Sequence, residues 1–343
     1  MRVLSYGDAI HAALVQAMEQ DPSVFVMGIG VDDHKAVFGS TRELAQQFGR
    51  QRVFDTPIAE AGMTGVAIGA ALGGMKPVHI HVRCDFLYLA MDQLLNVAAK
   101  WRSMFGGCLS VPLVVRAVIG RSWGQGPQYS QSLQSFMMHV PGIKVVMPTT
   151  PNDAQGVLLA AVADPNPVVI LEHRLLYDTK GEVPDVCEPL PFGRVVTRRA
   201  GKDLTIVANS YMAVEALRAA EVLAGYGIEA EVLDPISLVP LGEETILTSL
   251  AKTGRLLVVD TSWMTCGVSA EIAAIAAEKG FEYLKQPVRR LGMQRAVCPV
   301  SKPLEQAFYP HAGTIVAEAL AMVEGQGEHA AVPEVASSFE EPF

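Results

Sequence analysis

An α/β protein of two domains, each a mostly parallel sheet flanked by helices, is what this sequence predicts. Three observations lead there. Short β-branched apolar runs alternate with helix-length periodic segments along nearly the whole chain. That alternation breaks once, from Tyr177 to Pro191, into Asp, Lys, Gly, Glu and three prolines. And 343 residues, 50% of them hydrophobic, suffice for two cores at roughly 150 residues per domain. The expected division is a first domain over 1–180, a linker over 181–200, a second domain over 201–324 and a flexible tail over 325–343.

Taken in order, Ser5-Tyr-Gly-Asp8 reads as a helix cap with Asp8 at the third helical position, opening a periodic run to about Glu19. Val24–Met27 is a short buried strand. Ala59–Leu72 is a helix of small residues, introduced by the turn former Pro57. Pro77–Val82 is a strand and Phe86–Arg102 a helical stretch. Val111–Ile119, rich in β-branched residues, reads as a central parallel strand. Thr150-Pro-Asn-Asp153 supplies an N-cap, a proline at the first helical position and an acid three residues on, opening a helix to Ala163. Pro167–Leu171 is the next strand. In the second domain Leu204–Ala208, Glu231–Asp234 and Arg255–Asp260 are strands. Helices are expected at 212–224, 242–251, 267–279 and 311–324. The last 19 residues hold four glutamates and no Lys or Arg, the composition of a frayed end.

Composition narrows the function. The balance is 27 Lys+Arg against 36 Asp+Glu, a net charge of −9, with basic residues scattered; nucleic-acid binding needs a concentrated basic face. The longest uncharged small or apolar stretch, Gly65–Met75, has 11 residues, short of the ~20 of a membrane span. No basic segment followed by an apolar one opens the chain, so no signal peptide is expected. Five dispersed cysteines without C-x-x-C read as reduced cytosolic thiols. The expectation is a cytoplasmic globular enzyme or part of one.

Several motifs fail their own context tests. Gly28-Ile-Gly30-Val-Asp-Asp33 follows a strand but lacks the third glycine of a dinucleotide fingerprint, and its aspartates would repel a pyrophosphate. His79 and His81 share one face of a strand, without a third metal ligand at matching spacing. Gly120-Arg-Ser122-Trp-Gly124 fits the G-x-S-x-G elbow of a serine hydrolase, the reading from another class. Such an elbow must turn directly into a helix, whereas Gly124-Gln-Gly126-Pro127 continues as a loop. The segment Asp55-Thr-Pro-Ile-Ala-Glu60-Ala-Gly62 puts a carboxylate in the first turn of a helix almost without side-chain bulk. Glu60 could merely complement the helix dipole in solvent. It could also be a poorly solvated carboxylate able to share a proton with a ring nitrogen.

The string D-T-P-I-A-E-A-G resembles the hallmark of the beta subunits of thiamine-diphosphate-dependent 2-oxoacid dehydrogenases, the decarboxylating first component of those complexes. The likeness continues through Asp85-Phe86, Met91-Asp92-Gln93, Ala98-Ala99-Lys100, Ser130-Gln131-Ser132, His139-Val-Pro-Gly, Asp164-Pro-Asn-Pro167 and Leu171-Glu-His173. In the second domain Asp234, Pro240-Leu241, Thr253-Gly254-Arg255 and Gly267 also fit. The resemblance spans about residues 4–324. It implies a transketolase-like architecture, with a pyrimidine-binding domain followed by a transketolase C-terminal-like domain.

What it implies chemically can be stated residue by residue. Glu60 matches the carboxylate that bonds N1′ of the cofactor's aminopyrimidine and promotes the tautomer that activates the thiazolium. Phe86 matches the aromatic that stacks on that ring, although core packing would serve it equally. Ile58 is a further cofactor-side position, and Tyr129 and His139 belong to the substrate or acceptor pocket. Leu113, Ala161, Val162, Asp164 and Asn166 match a structural potassium site built largely of backbone carbonyls; the same residues could be only a helix stop and turn. Thiamine enzymes hold the diphosphate through magnesium on a G-D-G motif, and no G-D-G occurs in this sequence. An alpha subunit must then supply it, in a heterotetramer of two alpha and two beta chains that a lipoyl-bearing acyltransferase would serve. Two departures stand out. Many family members carry His where this chain has Tyr129, and Gly-Glu-Asp where it has Gly28-Ile29-Gly30. A phenol cannot titrate near pH 7 as imidazole does. The implied activity is oxidative decarboxylation of a pyruvate-like 2-oxoacid with acyl transfer to a lipoyl group; the alternative is a thiamine-dependent carboligase or decarboxylase without a lipoyl acceptor.

Overall fold

The computed structural model describes residues 1–121 and 124–324. Ser122, and with it the hydrolase reading, and the 325–343 tail lie outside the described residues. The chain divides into two compact units: Met1–Gly120 with Phe136–Phe192, and Arg121–Ser135 with the chain from Gly193 onward.

The first stretch runs β1 (Arg2–Ser5), α1 (Tyr6–Gln20), β2 (Val24–Gly28), α2 (Leu44–Phe48), β3 (Val53–Asp55), α3 (Glu60–Leu72) and β4 (Lys76–His81). Ser5 caps α1 as its sequence predicts. Its Oγ accepts from the Asp8 N–H at 3.1 Å and donates to the Asp8 carboxylate at 2.7 Å. The helical stretch expected over 86–102 is present but is not one helix. It runs as α4 (Cys84–Leu87), a 3-10 turn at Tyr88–Ala90, a π turn at Gln93–Ala98 and α5 (Ala99–Met104). Side-chain periodicity does not report such changes of hydrogen-bond register.

β5 (Val114–Ile119), α6 (Gln134–Met138), β6 (Lys144–Val146), α7 (Pro151–Ala163), β7 (Val168–His173) and β8 (Lys180–Val183) follow. Thr150 and Asp153 close a reciprocal capping box on α7, with Pro151 in the first turn. The sheet of this unit runs β6-β7-β5-β4-β2-β3, parallel throughout. β5 and β7 are buried at every position, as expected of strands covered on both faces. In this order β2 hands the chain on to one side and β4 hands it on to the other. The switch of direction therefore falls between β2 and β4, where open α/β sheets form a ligand crevice outside the strands' carboxyl ends.

The second unit contains β9 (Val195–Arg199), β10 (Leu204–Ala208), α8 (Tyr211–Gly225), β11 (Ala230–Pro235), β12 (Ser237–Val239), α9 (Glu243–Thr253), β13 (Leu256–Trp263), α10 (Val268–Lys279), β14 (Arg289–Met293), α11 (Lys302–Phe308) and α12 (Ala312–Glu324). Its sheet runs β14-β13-β10-β11-β9, parallel except for β9, which lies antiparallel to β11. Residues 121–135 are tied to this unit by polar anchors. Gln134 donates to Asp260 at 2.8 Å, and Tyr309 Oη donates to the Ser130 carbonyl at 2.9 Å.

The irregular stretch around 181–200 is shorter than its composition suggests. β8 pairs antiparallel with β1, from Ser5 opposite Lys180 to Arg2 opposite Val183, and β9 forms a sheet edge. Both are short edge strands bearing charged side chains, which hides them from a periodicity reading. All five cysteines are free. Among the described residues no helix is long and apolar enough to cross a membrane.

Candidate functional site

Three connections leave the carboxyl edge of the first unit's sheet around its switch point. Past β2 the chain turns at Gly28. Past β3 it bends through Thr56–Ala59 into α3, and past β4 it enters α4 through Val82 and Arg83. Gly28 is required by proximity: a Cβ there would come within 2.3 Å of the Ile80 carbonyl oxygen. The strands thus approach closely where the Gly28-Ile29-Gly30 loop begins.

Glu60 is the first residue of α3. It is only 6% exposed, and among the described residues its carboxylate has neither a hydrogen-bond donor nor a cation. The residue is largely covered by its surroundings and sits in the first turn of the helix, where a carboxylate also complements the helix dipole. Its helix presents Thr64, Ala67, Ile68 and Ala71 inward. Thr64 Oγ1 makes a 3.3 Å hydrogen bond with Nδ1 of His79 on β4. The His79 and His81 rings lie 4.3 Å apart, and burial pulls His79 down to about 4. Burial, with His79 beside it, holds His81 well below the ordinary imidazole range. Both are neutral near pH 7. Among the described residues no group of three His, Cys, Asp or Glu could hold a metal ion.

Phe86 is half-buried in the first turns after β4, its N–H donating to the Arg83 carbonyl at 3.3 Å. Arg83 itself is buried and donates to the Gly120 carbonyl at 3.2 Å. Glu60, Phe86 and the Gly28 turn therefore share one edge of one sheet. Ile58 lies in the bend before α3 and is 82% exposed, so within this chain it lines no enclosed surface. His139 is exposed after α6, and Tyr129 belongs to the second unit.

The five positions matched to potassium converge around the end of α7. Val168 N–H donates to the Leu113 carbonyl at 2.9 Å, and Asp164 N–H to the Ala161 carbonyl at 3.3 Å. The side chains are already engaged. Asp164 pairs with Lys144 at 2.6 Å and accepts from Asn166, whose own oxygen accepts from Arg102 at 3.2 Å. The carbonyls suit a hard cation; the Asp164 carboxylate has its cation in Lys144.

A second buried cluster escaped the sequence reading. Arg116 on β5 forms a two-pronged pair with Glu172 on β7, at 2.6 and 2.9 Å, and also donates to Ser40. Tyr177 Oη donates to Glu172. Burial opposes the charge on Arg116, but Glu172 more than compensates and holds the guanidinium protonated. Burial and then Glu172 push the Tyr177 phenol up. A lone Arg and a lone Glu in two otherwise apolar runs were the available signal.

Comparisons with known proteins cover both units of the chain. Residues 2–180 match the family described as the transketolase pyrimidine binding domain, and residues 193–315 match the transketolase C-terminal domain. The beta subunit of acetoin:2,6-dichlorophenolindophenol oxidoreductase from Bacillus subtilis (strain 168) is 41% identical over 334 residues, covering 94% of this chain and 98% of that one. The mitochondrial pyruvate dehydrogenase E1 component subunit beta-2 of Oryza sativa subsp. japonica is 41% identical, covering 91% of this chain and 84% of its own. The corresponding E1 beta subunit of Rickettsia felis is 37% identical, with 91% and 96% covered. Among solved structures, a split-gene transketolase described as an inactive beta4 tetramer superposes with a TM-score of 0.74 over 94% of this chain and 98% of its own; at 23% identity it speaks for the fold alone. With two matched domains in order and near-full-length likeness to these subunits, the chain belongs to the beta-subunit family of the thiamine-diphosphate-dependent 2-oxoacid dehydrogenase first components.

Proposed function

We propose that this chain is the pyrimidine-binding half of a 2-oxoacid dehydrogenase first component, acting on pyruvate or a close analogue once joined to an alpha subunit. One observation carries the reading: Glu60, a largely buried residue whose carboxylate has no protein partner among the described residues, at the first turn of a low-bulk helix beside the switch point. These residues fit the pyrimidine end of thiamine diphosphate. Glu60 would hold or share the proton at ring N1′, Phe86 would offer its aromatic face, and Ile58 would close against the ring's edge. They do not fit the diphosphate end, since the sequence holds no G-D-G; that motif and its magnesium are assigned to the alpha subunit, in a complex of two alpha and two beta chains. When bound, the cofactor supplies the carbon nucleophile that takes up the substrate's acyl fragment as carbon dioxide leaves. Potassium is assigned to the carbonyls of Leu113, Ala161 and Val162, with Asp164 and Asn166 shaping the turn. Tyr129 and His139 are assigned to the substrate or acceptor side, and the cytoplasm is the proposed compartment.

The test is Glu60→Gln in the complex purified with its alpha subunit. Turnover should fall at least about a hundredfold, the scale of losing a positioned acid–base group, while the assembled mass stays unchanged. Near-normal turnover would sink the assignment. A second reading is favoured by Tyr129 and Ile29, which stand where many family members carry His and Glu. With an imidazole and a carboxylate gone, the acyl fragment would pass to a carbonyl acceptor instead of a lipoyl group. An acyloin formed without any lipoyl domain supports that acceptor; acyl transfer that requires one supports the first.

A further inference from the structure

We propose that Tyr309 is a positioning residue for Tyr129. Its hydroxyl pins the carbonyl of Ser130, the next residue in the chain, and so sets the direction in which the Tyr129 phenol donates to an oxygen of the 2-oxoacid. The proposal rests on the assignment of Tyr129 to the substrate side given above.

Residues 124–133 form neither helix nor strand, and Gly124 and Gly126 stand in the left-handed region, at φ +67° and +71°. Backbone of this kind does not order itself. Yet Ser130, Ser132 and Leu133 are buried, and a buried loop needs its polar groups held. The holding comes from the second unit, to which the segment belongs. Tyr309 Oη donates to the Ser130 carbonyl at 2.9 Å. The Arg121 guanidinium lies over the same ring, 4.9 Å from its centre, so one side chain holds the chain on both sides of Tyr129. A Cβ on Gly126 would come within 2.8 Å of Val300, so the loop lies close against the stretch that leads to Tyr309.

The anchor itself is rigid. The Tyr309 ring is buried, meets Phe308 edge-on with centroids 4.9 Å apart, and packs in one cluster with Met293 and Cys298. Cys298 Sγ lies 3.5 Å from the hydroxyl, but sulfur is a weak acceptor, so the phenolic proton goes to Ser130. Burial pushes this phenol up, which keeps the proton on it. Beyond Tyr129 the segment is held again at Gln134, buried and donating to Asp260 at 2.8 Å and to Thr261 at 3.1 Å. Asp260 lies just past the β10–β13 pairing, which ends at Ala208 opposite Val259, and also accepts from Asn209 and from the Val268 N–H. The chain leaves β10 and β13 in opposite directions. Open α/β sheets bind ligands at such a switch point; here Gln134 is bound there. Tyr129 thus stands between two fixed points, one residue from the first. A phenol does not titrate near pH 7, so it acts by donating a hydrogen bond, which weakens steeply with angle. Carboxylate and keto oxygens of a 2-oxoacid accept such a bond well, and the sulfurs of a lipoyl group poorly.

The test uses the complex purified with its alpha subunit and the variant Tyr309→Phe, which keeps the ring and removes the donor. Turnover is followed with 2,6-dichlorophenolindophenol as electron acceptor, on whichever of pyruvate and its close analogues the wild type turns over fastest. Tyr309→Phe should lower kcat/KM about fivefold, the worth of one hydrogen bond. In a Tyr129→Phe background the same substitution should cost nothing further, because the group it positions is gone. With 3-fluorotyrosine at position 129, the single narrow fluorine resonance of the complex should split or broaden in Tyr309→Phe. Unchanged turnover and resonance in Tyr309→Phe overturn the proposal. So does an equal loss of turnover in the presence and absence of the Tyr129 hydroxyl, which would mark a merely structural role. If Tyr309→Phe does not assemble, Gln134→Met, which removes the second anchor at similar volume, makes the same comparison. Tyr129→Phe alone separates the two ideas: wild-type turnover by it overturns the assignment of Tyr129, and this proposal with it, whereas a loss there without one in Tyr309→Phe overturns the proposal alone.

Discussion

Burial takes the His79 imidazole from about 6.5 in the unfolded chain down to about 4 in the fold, and that difference is a statement about stability. Between those values the unfolded chain binds more protons than the folded one, so stability falls as pH falls. Above about 6.5 both states are neutral and the penalty vanishes. Over the full window the cost is about 3 kcal/mol for this one ring, and His81, shifted the same way, adds to it. The unfolding midpoint should therefore drop steeply between pH 6.5 and 4, and His79→Phe should flatten that slope even if its midpoint at pH 7 is lower. Parallel pH profiles of the variant and the wild type would contradict the assignment. The Arg116–Glu172 pair behaves differently. Both partners are buried, at 0% and 2% exposure, so removing either strands a charge, whereas acid does not selectively uncover one imidazole.

Elements differ in how far their own residues specify them. α7 is written almost entirely in its first turn, where Thr150 and Asp153 satisfy each other's backbone N–H and the Thr150 hydroxyl donates to Asp153 at 2.6 Å. Thr150→Ala should cost about 1 kcal/mol, read as a lower unfolding midpoint with turnover of the complex unchanged; no measurable shift would mean that tertiary packing alone holds α7. β5 ends with a different kind of requirement. Gly120 has φ +76°, and a Cβ there would lie 2.2 Å from Nε2 of His173, so only glycine lets β5 turn beneath that ring. The helices and long strands could be read in the sequence because caps, proline placement and β-branched runs are local signals. β3, β6 and β12, of three residues each, carry no period and exist through pairing or packing. β8 and β9 hid in a proline-rich, charged stretch because edge strands need no apolar alternation. At the site, Glu60 stood out only through its resemblance to a family. Spacing alone left it as one of many first-turn acids, and its burial is a property of the sheet edge above which α3 starts.

At the scale of the whole molecule the absent G-D-G motif and the surface of α3 point the same way. The outward positions of this helix are Gly62, Gly65, Val66 and Gly69, all exposed, and a Cβ added at Gly65 or Gly69 would meet nothing within 4 Å. Val66 is 54% exposed, and Ile58, Leu89 and Met104 of the same unit are 82%, 60% and 65% exposed. Large apolar residues exposed on one unit are candidates for an interaction surface. Glycines one helical turn apart let a partner's backbone approach closely. Glu60, the carboxylate proposed to meet the cofactor, starts the same helix, so on the proposed function a partner seated there would complete the site and cover the apolar face together. Val66→Asp tests this. Exposed in the single chain, the substitution should change its own stability by no more than about 0.5 kcal/mol. Buried in an assembly, an unpaired carboxylate should cost about 3–5 kcal/mol, weakening association at least about a hundredfold. Sedimentation of the variant with its alpha subunit should show dissociated chains at concentrations where the wild type is fully assembled, and turnover should be lost in proportion. If Val66→Asp assembles and turns over like the wild type, α3 does not face a partner, and the missing half of the site must be supplied from another direction.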